Sequence, residues 1–174
     1  MNSVYIREAD TSILVQMLIE ILIREGIISN EKVTEELIAY CEKVITVMRE
    51  RIKYVGQIIE DAMYFFTDEF QYDTGAFQKV LQEPGVKKRL LLCRNEFEKL
   101  EVFTVHSTEE VIRDLSEQLG IKAAHFIHPL RMAISGVKGG PGLFELLEIL
   151  GKERVLVRID RTLEQIKDLK ESSR

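Results

Sequence analysis

The sequence predicts an all-α fold, and three of its properties support that prediction. Apolar residues recur at three- and four-residue spacing along most of the chain, which is the period of one face of a helix. Glycine and small polar residues interrupt the pattern at intervals typical of helix ends. Signals for β-strands are almost absent. With 174 residues, 45% of them hydrophobic, the chain can form one ordinary domain or two small ones.

The first part of the chain predicts two helices. Asp10 and Thr11 are candidate caps for the first helix, which Gly26 ends. The second helix has an apolar face made of Val33, Leu37, Cys41, Val44, Val47 and Met48. It runs into a basic cluster at residues 49–53. The aromatic run at 64–66 and the polar residues after it mark a junction between a small first subdomain and a larger second one.

Six further helices are predicted beyond that junction. Ser107, with Glu110 three residues later, has the spacing of a capping box for the third of these helices, which ends at Gly120. Residues 101–106 alternate weakly and predict an extended connector. The predicted helical segments are residues 77–81, 86–100, 107–119, 123–134, 141–150 and 152–169.

A glycine-rich bend follows the predicted helix that carries Arg131. Its glycines, at positions 136, 139, 140 and 142, permit positive φ angles and the close approach of a base. Pro141 suits the first position of the next helix, because the amide hydrogen that proline lacks would be unpaired there. With no charged side chain over its first turn, such a helix start attracts phosphates and base-edge acceptors. The bend therefore predicts a site for a flat polar ligand.

Charge is unevenly distributed along the chain. The net charge is −5. Residues 121–174 carry ten Lys and Arg against seven Asp and Glu, whereas residues 1–120 carry fourteen against twenty-two. An acidic protein can bind RNA when its cations are concentrated on one face, but the affinity then depends on few phosphate contacts.

Cysteine usage and hydropathy predict a soluble cytoplasmic protein. Cys41 and Cys93 are far apart within apolar helical patterns, so we expect them to be reduced core residues. Glu20 and Arg24 interrupt the longest apolar segment, and neither a signal peptide nor a membrane span is predicted.

No group of residues predicts catalysis. His125 and His128 would share a helix face, but two ligands do not complete a metal site, and no cysteine lies nearby in the sequence. The carboxylate pairs at 68–69 and 109–110 are typical of solvated helix starts. No nucleophile elbow and no phosphate loop occur. We therefore expect neither a metal site nor an independent enzymatic activity.

Two arginines and one leucine have both a structural and a ligand-binding interpretation. Arg131 precedes the bend, so its guanidinium could contact a base edge or a phosphate, or it could pair with a local glutamate. Arg51 could contact a ligand or offset the dipole of its helix end. Leu143 belongs to a pattern typical of a core, although its place beside the bend also allows contact with a ligand.

Several motifs resemble the C-terminal half of bacterial glutamyl-tRNA synthetase, over about residues 10–169. They are Arg-Ile-Lys-Tyr-Val at 51–55, Tyr-Phe-Phe at 64–66, Pro-Leu-Arg at 129–131, Ala-Ile-Ser-Gly at 133–136, Pro-Gly-Leu-Phe-Glu at 141–145 and Leu-Gly-Lys-Glu-Arg at 150–154. The resemblance implies an all-helical anticodon-binding region of two subdomains that divide near Met63, at residues 1–63 and 64–174.

The resemblance also implies which residues contact the anticodon loop of glutamate tRNA. Arg51 corresponds to the arginine that faces the first anticodon base in that family. The positions that contact the other two bases correspond to Arg131, Gly140, Pro141 and Leu143. Gly140 replaces a side chain that forms hydrogen bonds in some members, so only backbone contacts remain there. Unstacked loop bases are the usual targets of sequence-specific RNA recognition.

The nucleotide-binding signatures of that family, of the His-Ile-Gly-His and Lys-Met-Ser-Lys-Ser types, do not occur in these residues. We therefore expect a module that does not activate glutamate and has no cofactor of its own, with ATP and magnesium belonging to a catalytic domain outside this chain. The expected partners are the anticodon loop and that catalytic domain, with no membrane, and the chain is expected to be a monomer. A helical protein-interaction scaffold that kept the fold without binding tRNA is the alternative.

Overall fold

The described part of the chain consists of helices joined by turns. The structure is a computed structural model that describes the backbone of residues 3–171 and the side chains of residues 6–166. Within those residues there are ten α-helices, two short 3-10 helices and no strand, which confirms the all-α prediction. The α-helices are α1 (Ser3–Glu8), α2 (Thr11–Arg24), α3 (Glu35–Met48), α4 (Gln57–Asp61), α5 (Thr74–Leu81), α6 (Val86–Lys99), α7 (Val105–Leu119), α8 (Ala124–Ser135), α9 (Leu143–Leu150) and α10 (Lys152–Glu171).

The chain forms two compact units. The first contains the described residues up to Thr67 together with Gly140–Gly142. In this unit α2 packs against α3 because each helix has one apolar face. The buried residues of these faces are Leu14, Val15, Leu18, Leu22, Cys41, Val44, Ile45 and Met48. Tyr40 on α3 donates a hydrogen bond of 2.7 Å from its hydroxyl to the carbonyl of Phe65.

Arg49 connects the end of α3 to the segment around α1. Its guanidinium donates four hydrogen bonds of 2.8–3.2 Å, and the acceptors are the backbone carbonyls of Ile6, Arg7 and Ala9 and the hydroxyl of Thr11. A helix ends with unpaired carbonyls, and a cation that reaches them acts as a cap. Arg49 is therefore a structural residue of the first unit.

The second unit contains Asp68–Gly139 and the described residues from Leu143 onward. In this unit α6 packs against α7, α8 and α10, and α9 packs against α7 and α10. The fully buried apolar residues of this core include Cys93, Phe97, Phe126, Leu130, Leu146, Leu147, Val155 and Ile159. The helices predicted at 86–100, 123–134 and 152–169 coincide with α6, α8 and α10 to within two residues.

Several details differ from the sequence-based expectation. The short helices α1 and α4 were not predicted, because five or six residues show too little of the helical period. The cap of α7 is Thr104 and not Ser107. The Thr104 side chain accepts from the amide of Ser107 at 3.3 Å, and the Ser107 hydroxyl accepts from the amide of Thr104 at 3.0 Å. Since α7 begins at Val105, the extended connector ends at Thr104 and does not reach His106.

Both cysteines lie in the core, as predicted. Cys41 and Cys93 are fully buried, and neither forms a disulfide. Burial raises the pKa of the Cys41 thiol to about 11. Burial also raises the pKa of the Cys93 thiol. Thiols with raised pKa values are poor nucleophiles at neutral pH, which fits a packing role.

Candidate nucleic-acid interface

Arg131 lies in the C-terminal half of α8, one turn before the helix ends at Ser135. The residue is half-buried, and its Nη1 atom is shielded from solvent. The hydroxyl of Ser135 donates to the carbonyl of Arg131 at 2.7 Å, in the pattern of a serine that bonds back along its own helix. Only part of the Arg131 side chain is therefore accessible to a ligand.

The glycine bend begins where α8 ends. Gly136 has a φ of 74° and ends the helix in the left-handed conformation, which glycine adopts without steric cost. Gly140, also at positive φ, is exposed, whereas Pro141 and Leu143 are buried, with Leu143 at 4% relative exposure. The bend thus exposes backbone at Gly140 and covers the two apolar residues that follow it.

The helix after the bend begins at Leu143, so the prediction of a start at Pro141 was wrong. Gly142 precedes the helix, and glycine costs a helix interior about 1 kcal/mol relative to alanine. The first turn of α9 also carries Glu145. Its carboxylate partly offsets the positive end of the helix dipole, which weakens the expected attraction of this helix start for anions.

Arg51 and Gly140 are brought together within the first unit. The Nε atom of Arg51 donates to the carbonyl of Gly140 at 3.0 Å, and its Nη1 atom donates to the carbonyl of Val47 at 3.3 Å. The side chain is exposed, and among the described residues no carboxylate lies within ion-pair distance of it. Its Nη2 atom makes no hydrogen bond to the described residues, so one edge of the guanidinium remains for an external acceptor.

The basic residues of the cluster at 49–53 have different roles. Arg49 is engaged by backbone carbonyls, whereas Arg51 and Lys53 are exposed. Lys138 was not among the site residues predicted from the sequence. It lies inside the bend, its side chain is exposed, and it has no ion-pair partner among residues 6–166. A cation between two glycines of the bend was the available signal for it.

Asp68 is the carboxylate partner of two arginines on α10. Its Oδ1 atom lies 3.2 Å from Nη2 of Arg154, and it also accepts hydrogen bonds from Nε and Nη2 of Arg158. Partial burial raises the pKa of Asp68, but the hydrogen bonds and charges of Arg158 and Arg154 outweigh it, so the pKa is held below its usual value. These two cations share one carboxylate within the unit, so they contribute less positive charge to any RNA-binding surface.

Two of the three histidines have carboxylate neighbours on the surface. His125 Nδ1 lies 3.4 Å from Glu83, and His106 Nε2 lies 3.4 Å from Glu110. In the part of the chain that the structure describes, no group of three or more His, Cys, Asp or Glu residues could hold a metal ion. None of the described helices has the length and hydrophobicity needed to span a bilayer.

Comparison with known proteins identifies the family. Residues 14–163 match the family model described as the anticodon binding domain. The chain belongs to the anticodon-binding domain family. This finding confirms the resemblance that the motifs at 51–55 and 129–154 indicated.

The relatives of this anticodon-binding domain include curated glutamate-tRNA ligases. The chain is 34% identical to the enzyme of Moorella thermoacetica and 36% identical to glutamate-tRNA ligase 1 of Caldanaerobacter subterraneus subsp. tengcongensis, each over 167 residues. Each match covers 96% of this chain and 34% of the relative. The chain therefore spans about a third of the length of the curated relatives it matches.

A solved structure of a relative has the same fold. A glutamate tRNA ligase from Elizabethkingia meningosepticum superposes with a TM-score of 0.82 at 25% identity, over 95% of this chain and 31% of that one. The glutamate-tRNA synthetase of Elizabethkingia anophelis gives a TM-score of 0.72 at 25% identity. These matches confirm the helical bundle of the glutamyl-tRNA synthetase anticodon-binding type.

Proposed function

We propose that this chain recognises the anticodon loop of glutamate tRNA as the binding module of a glutamate-tRNA ligase. The ATP-dependent attachment of glutamate belongs, in this proposal, to a catalytic domain outside these residues, which would also hold the magnesium. The module acts as a monomer in the cytoplasm. The observation that carries the proposal is the contact between Arg51 and the carbonyl of Gly140, which joins two of the implicated positions that are 89 residues apart.

The chemistry of this contact fits an unstacked base. Arg51 is fixed through Nε and Nη1, so its remaining Nη2 edge is held in one direction and loses little freedom on binding. An arginine edge donates to base acceptors and provides about 1–3 kcal/mol of discrimination in a good pairing. Gly140 has no side chain, and its neighbour Gly139 has open space around it, so a base can approach the backbone there.

The other implicated residues contribute in different ways. Arg131 is partly accessible and offers a second donor on the helix that precedes the bend. Pro141 and Leu143 are buried, so in this proposal they stabilise the bend by packing and do not stack on a base. Lys138 is exposed and suits a phosphate contact, which adds affinity without reading sequence.

Binding of an anticodon stem-loop RNA tests this proposal. Fluorescence anisotropy would compare the glutamate stem-loop with loops that differ by one base. We expect Arg51→Ala and Arg131→Ala each to weaken cognate binding by about 1–3 kcal/mol and to reduce discrimination at one base. Arg24→Ala and Arg113→Ala are matched controls, because these arginines are exposed at 71% and 56% and are paired with neighbouring carboxylates.

Two outcomes would contradict the proposal. If the parent chain binds the glutamate stem-loop no better than a scrambled loop, the chain is not an anticodon-recognition module and the scaffold alternative gains support. If the parent binds selectively while both alanine variants keep the same selectivity, the assignment of Arg51 and Arg131 to base reading is wrong.

A further inference from the structure

The end of α8 is held by groups from two other parts of the second unit. An α-helix leaves its last carbonyls without partners inside the helix. Here the carbonyl of Ile134 accepts a hydrogen bond from Nη1 of Arg158 on α10. The carbonyl of Gly136 accepts from the amide of Asp73 at 2.9 Å. Two hydrogen bonds from other segments therefore hold the backbone at the end of α8.

Arg158 is the most deeply buried cation among the described residues, with 1% of its surface exposed. Its guanidinium donates to Ile134 on one side and to the carboxylate of Asp68 on the other, at 3.0 Å from Nε. Its Cζ atom lies 4.7 Å from the centroid of the Phe70 ring. A buried charge is tolerated when it is paired and hydrogen-bonded, and the planar fork of arginine allows all of these contacts at once.

The segment that supplies Asp68, Phe70 and Asp73 passes directly over the helix end. A Cβ atom built on Gly136 would lie 2.7 Å from the carbonyl oxygen of Gln71 and 3.0 Å from the Phe70 ring. Arg161, which like Arg158 belongs to α10, also lies close to this ring, with its Cζ 4.7 Å from the Phe70 centroid. Backbone and ring thus leave no space for the helix end to move toward them.

We propose that Asp68, Phe70, Gly136 and Arg158 form an exit clamp that fixes the direction in which the chain leaves α8 and enters the glycine bend. Arg158 is in this view a positioning residue for anticodon recognition, and this inference rests on the proposed function. Only three residues, 137–139, separate the clamp from Gly140. A change in the backbone direction at Gly136 would therefore also change the exposed backbone at Gly140.

The burial of Arg158 distinguishes a positioning role from direct contact with RNA. Arg158 at 1% exposure cannot contact RNA, and its charge is already paired with Asp68. A change in RNA selectivity on altering Arg158 must therefore act through the bend. Replacing Asp68 disturbs the packing less than replacing Arg158 does, because the Asp68 side chain is 59% exposed and its replacement leaves no cavity.

The experiment uses Arg158→Lys, which keeps the charge and loses the fork, and Asp68→Asn, which keeps the shape and loses the charge. Asp68→Glu is the conservative variant, and Ile112→Val on α7 is a control for mild loss of stability. Backbone order parameters of residues 137–140 are measured by NMR on the free chain. Dissociation constants are measured for the glutamate stem-loop and for a loop with one changed base.

We expect Arg158→Lys and Asp68→Asn to lower the order parameters of residues 137–140 and to reduce the ratio of cognate to mismatched affinity by about threefold to tenfold. Asp68→Glu should keep both properties near those of the parent, and Ile112→Val should lower the unfolding midpoint without changing either. Should Arg158→Lys fail to fold, Asp68→Asn alone carries the comparison.

Each other outcome overturns a distinct statement. Unchanged order parameters in Asp68→Asn would mean that the clamp does not fix the exit of α8. Lowered order parameters with unchanged selectivity would remove the positioning role and leave the proposed function intact. If the parent itself shows no selectivity, the proposed function fails and the positioning role fails with it, whatever the order parameters show.

Discussion

At the scale of single residues, arginines that are alike in sequence have different physical tasks. Arg49 caps the carbonyls around α1, Arg158 is buried and paired with Asp68, and Arg51 is exposed with one guanidinium edge remaining. Only the last has the accessibility that an RNA ligand needs. A count of basic residues therefore overestimates the cations available for binding.

Gly136 gives a prediction at this scale. Gly136→Ala introduces a side chain at a φ of 74° and within 2.7 Å of a backbone oxygen, so both strain and a clash oppose folding. Gly26→Ala is the matched control, because its φ of 70° is similar and nothing lies within 4 Å of the added Cβ. We expect Gly26→Ala to cost about 1 kcal/mol and Gly136→Ala at least about 1 kcal/mol more. Urea unfolding measures both, and equal costs would show that the helix end can move away from Gln71.

The sequence predicted which residues lie near the bend but not which of them are accessible. Arg131 precedes the glycine bend in the sequence and Leu143 follows it. Leu143 is buried and Arg131 is half-buried, and no local pattern specifies how much of either side chain is covered. Lys138 was missed because a lone exposed lysine has no periodicity. The roles of Arg51, Arg131, Gly140, Pro141 and Leu143 in binding stay predictions.

At the scale of elements, long helices were predictable and short ones were not. The helices α2, α6, α8 and α10 have enough turns for apolar periodicity to identify them. By contrast, α1 has six residues, and long-range contacts stabilise it, including the hydrogen bonds from Arg49 and the burial of Ile6. Local pattern also failed to locate the start of α9, which is Leu143 and not Pro141. A Pro-Gly pair can lie either inside the first turn of a helix or just before it.

The Arg49 contacts lead to a second prediction. Arg49→Ala removes the donor for three carbonyls between residues 6 and 9, so α1 should open more often without loss of the α2 and α3 pair. We expect amide hydrogen exchange of residues 6–9 to become faster by a factor that corresponds to about 1–3 kcal/mol. Lys43→Ala is the control, because Lys43 is exposed on α3. Equal exchange in both variants would mean that packing of Ile6 alone holds α1.

At the scale of the whole molecule, the fold and the family follow from the sequence, whereas the grouping of residues that lie far apart along the chain does not. Periodicity and motifs together indicated a helical anticodon-binding region, and residues 14–163 match that family. Gly140–Gly142 group with the first unit although they lie far along the chain. Such long-range grouping has no signature in a linear pattern, and the division at residues 63 and 64 stays a prediction.

The charge of the whole chain sets the last prediction, which concerns salt. The net charge is −5, and several cations are paired internally, so few remain for phosphates. For the glutamate stem-loop we expect the logarithm of the association constant to fall with the logarithm of salt concentration with a slope of about −2, as two or three phosphate contacts would give. Lys138→Ala should reduce this slope by about 0.7 and weaken cognate and mismatched loops equally, because a phosphate contact reads no sequence.

Lys122→Ala is the matched control for the salt experiment, since Lys122 is exposed beyond the opposite end of α8. It should leave the slope unchanged. A parent slope steeper than about −4 would require phosphate contacts well beyond the bend, because each contact contributes only about −0.7. A slope near zero would mean that the measured binding depends on contacts with the bases and not on contacts with the RNA phosphates. Equal slopes for the parent and Lys138→Ala would remove Lys138 from the interface while leaving the assignment of Arg51 to be decided by its own variants.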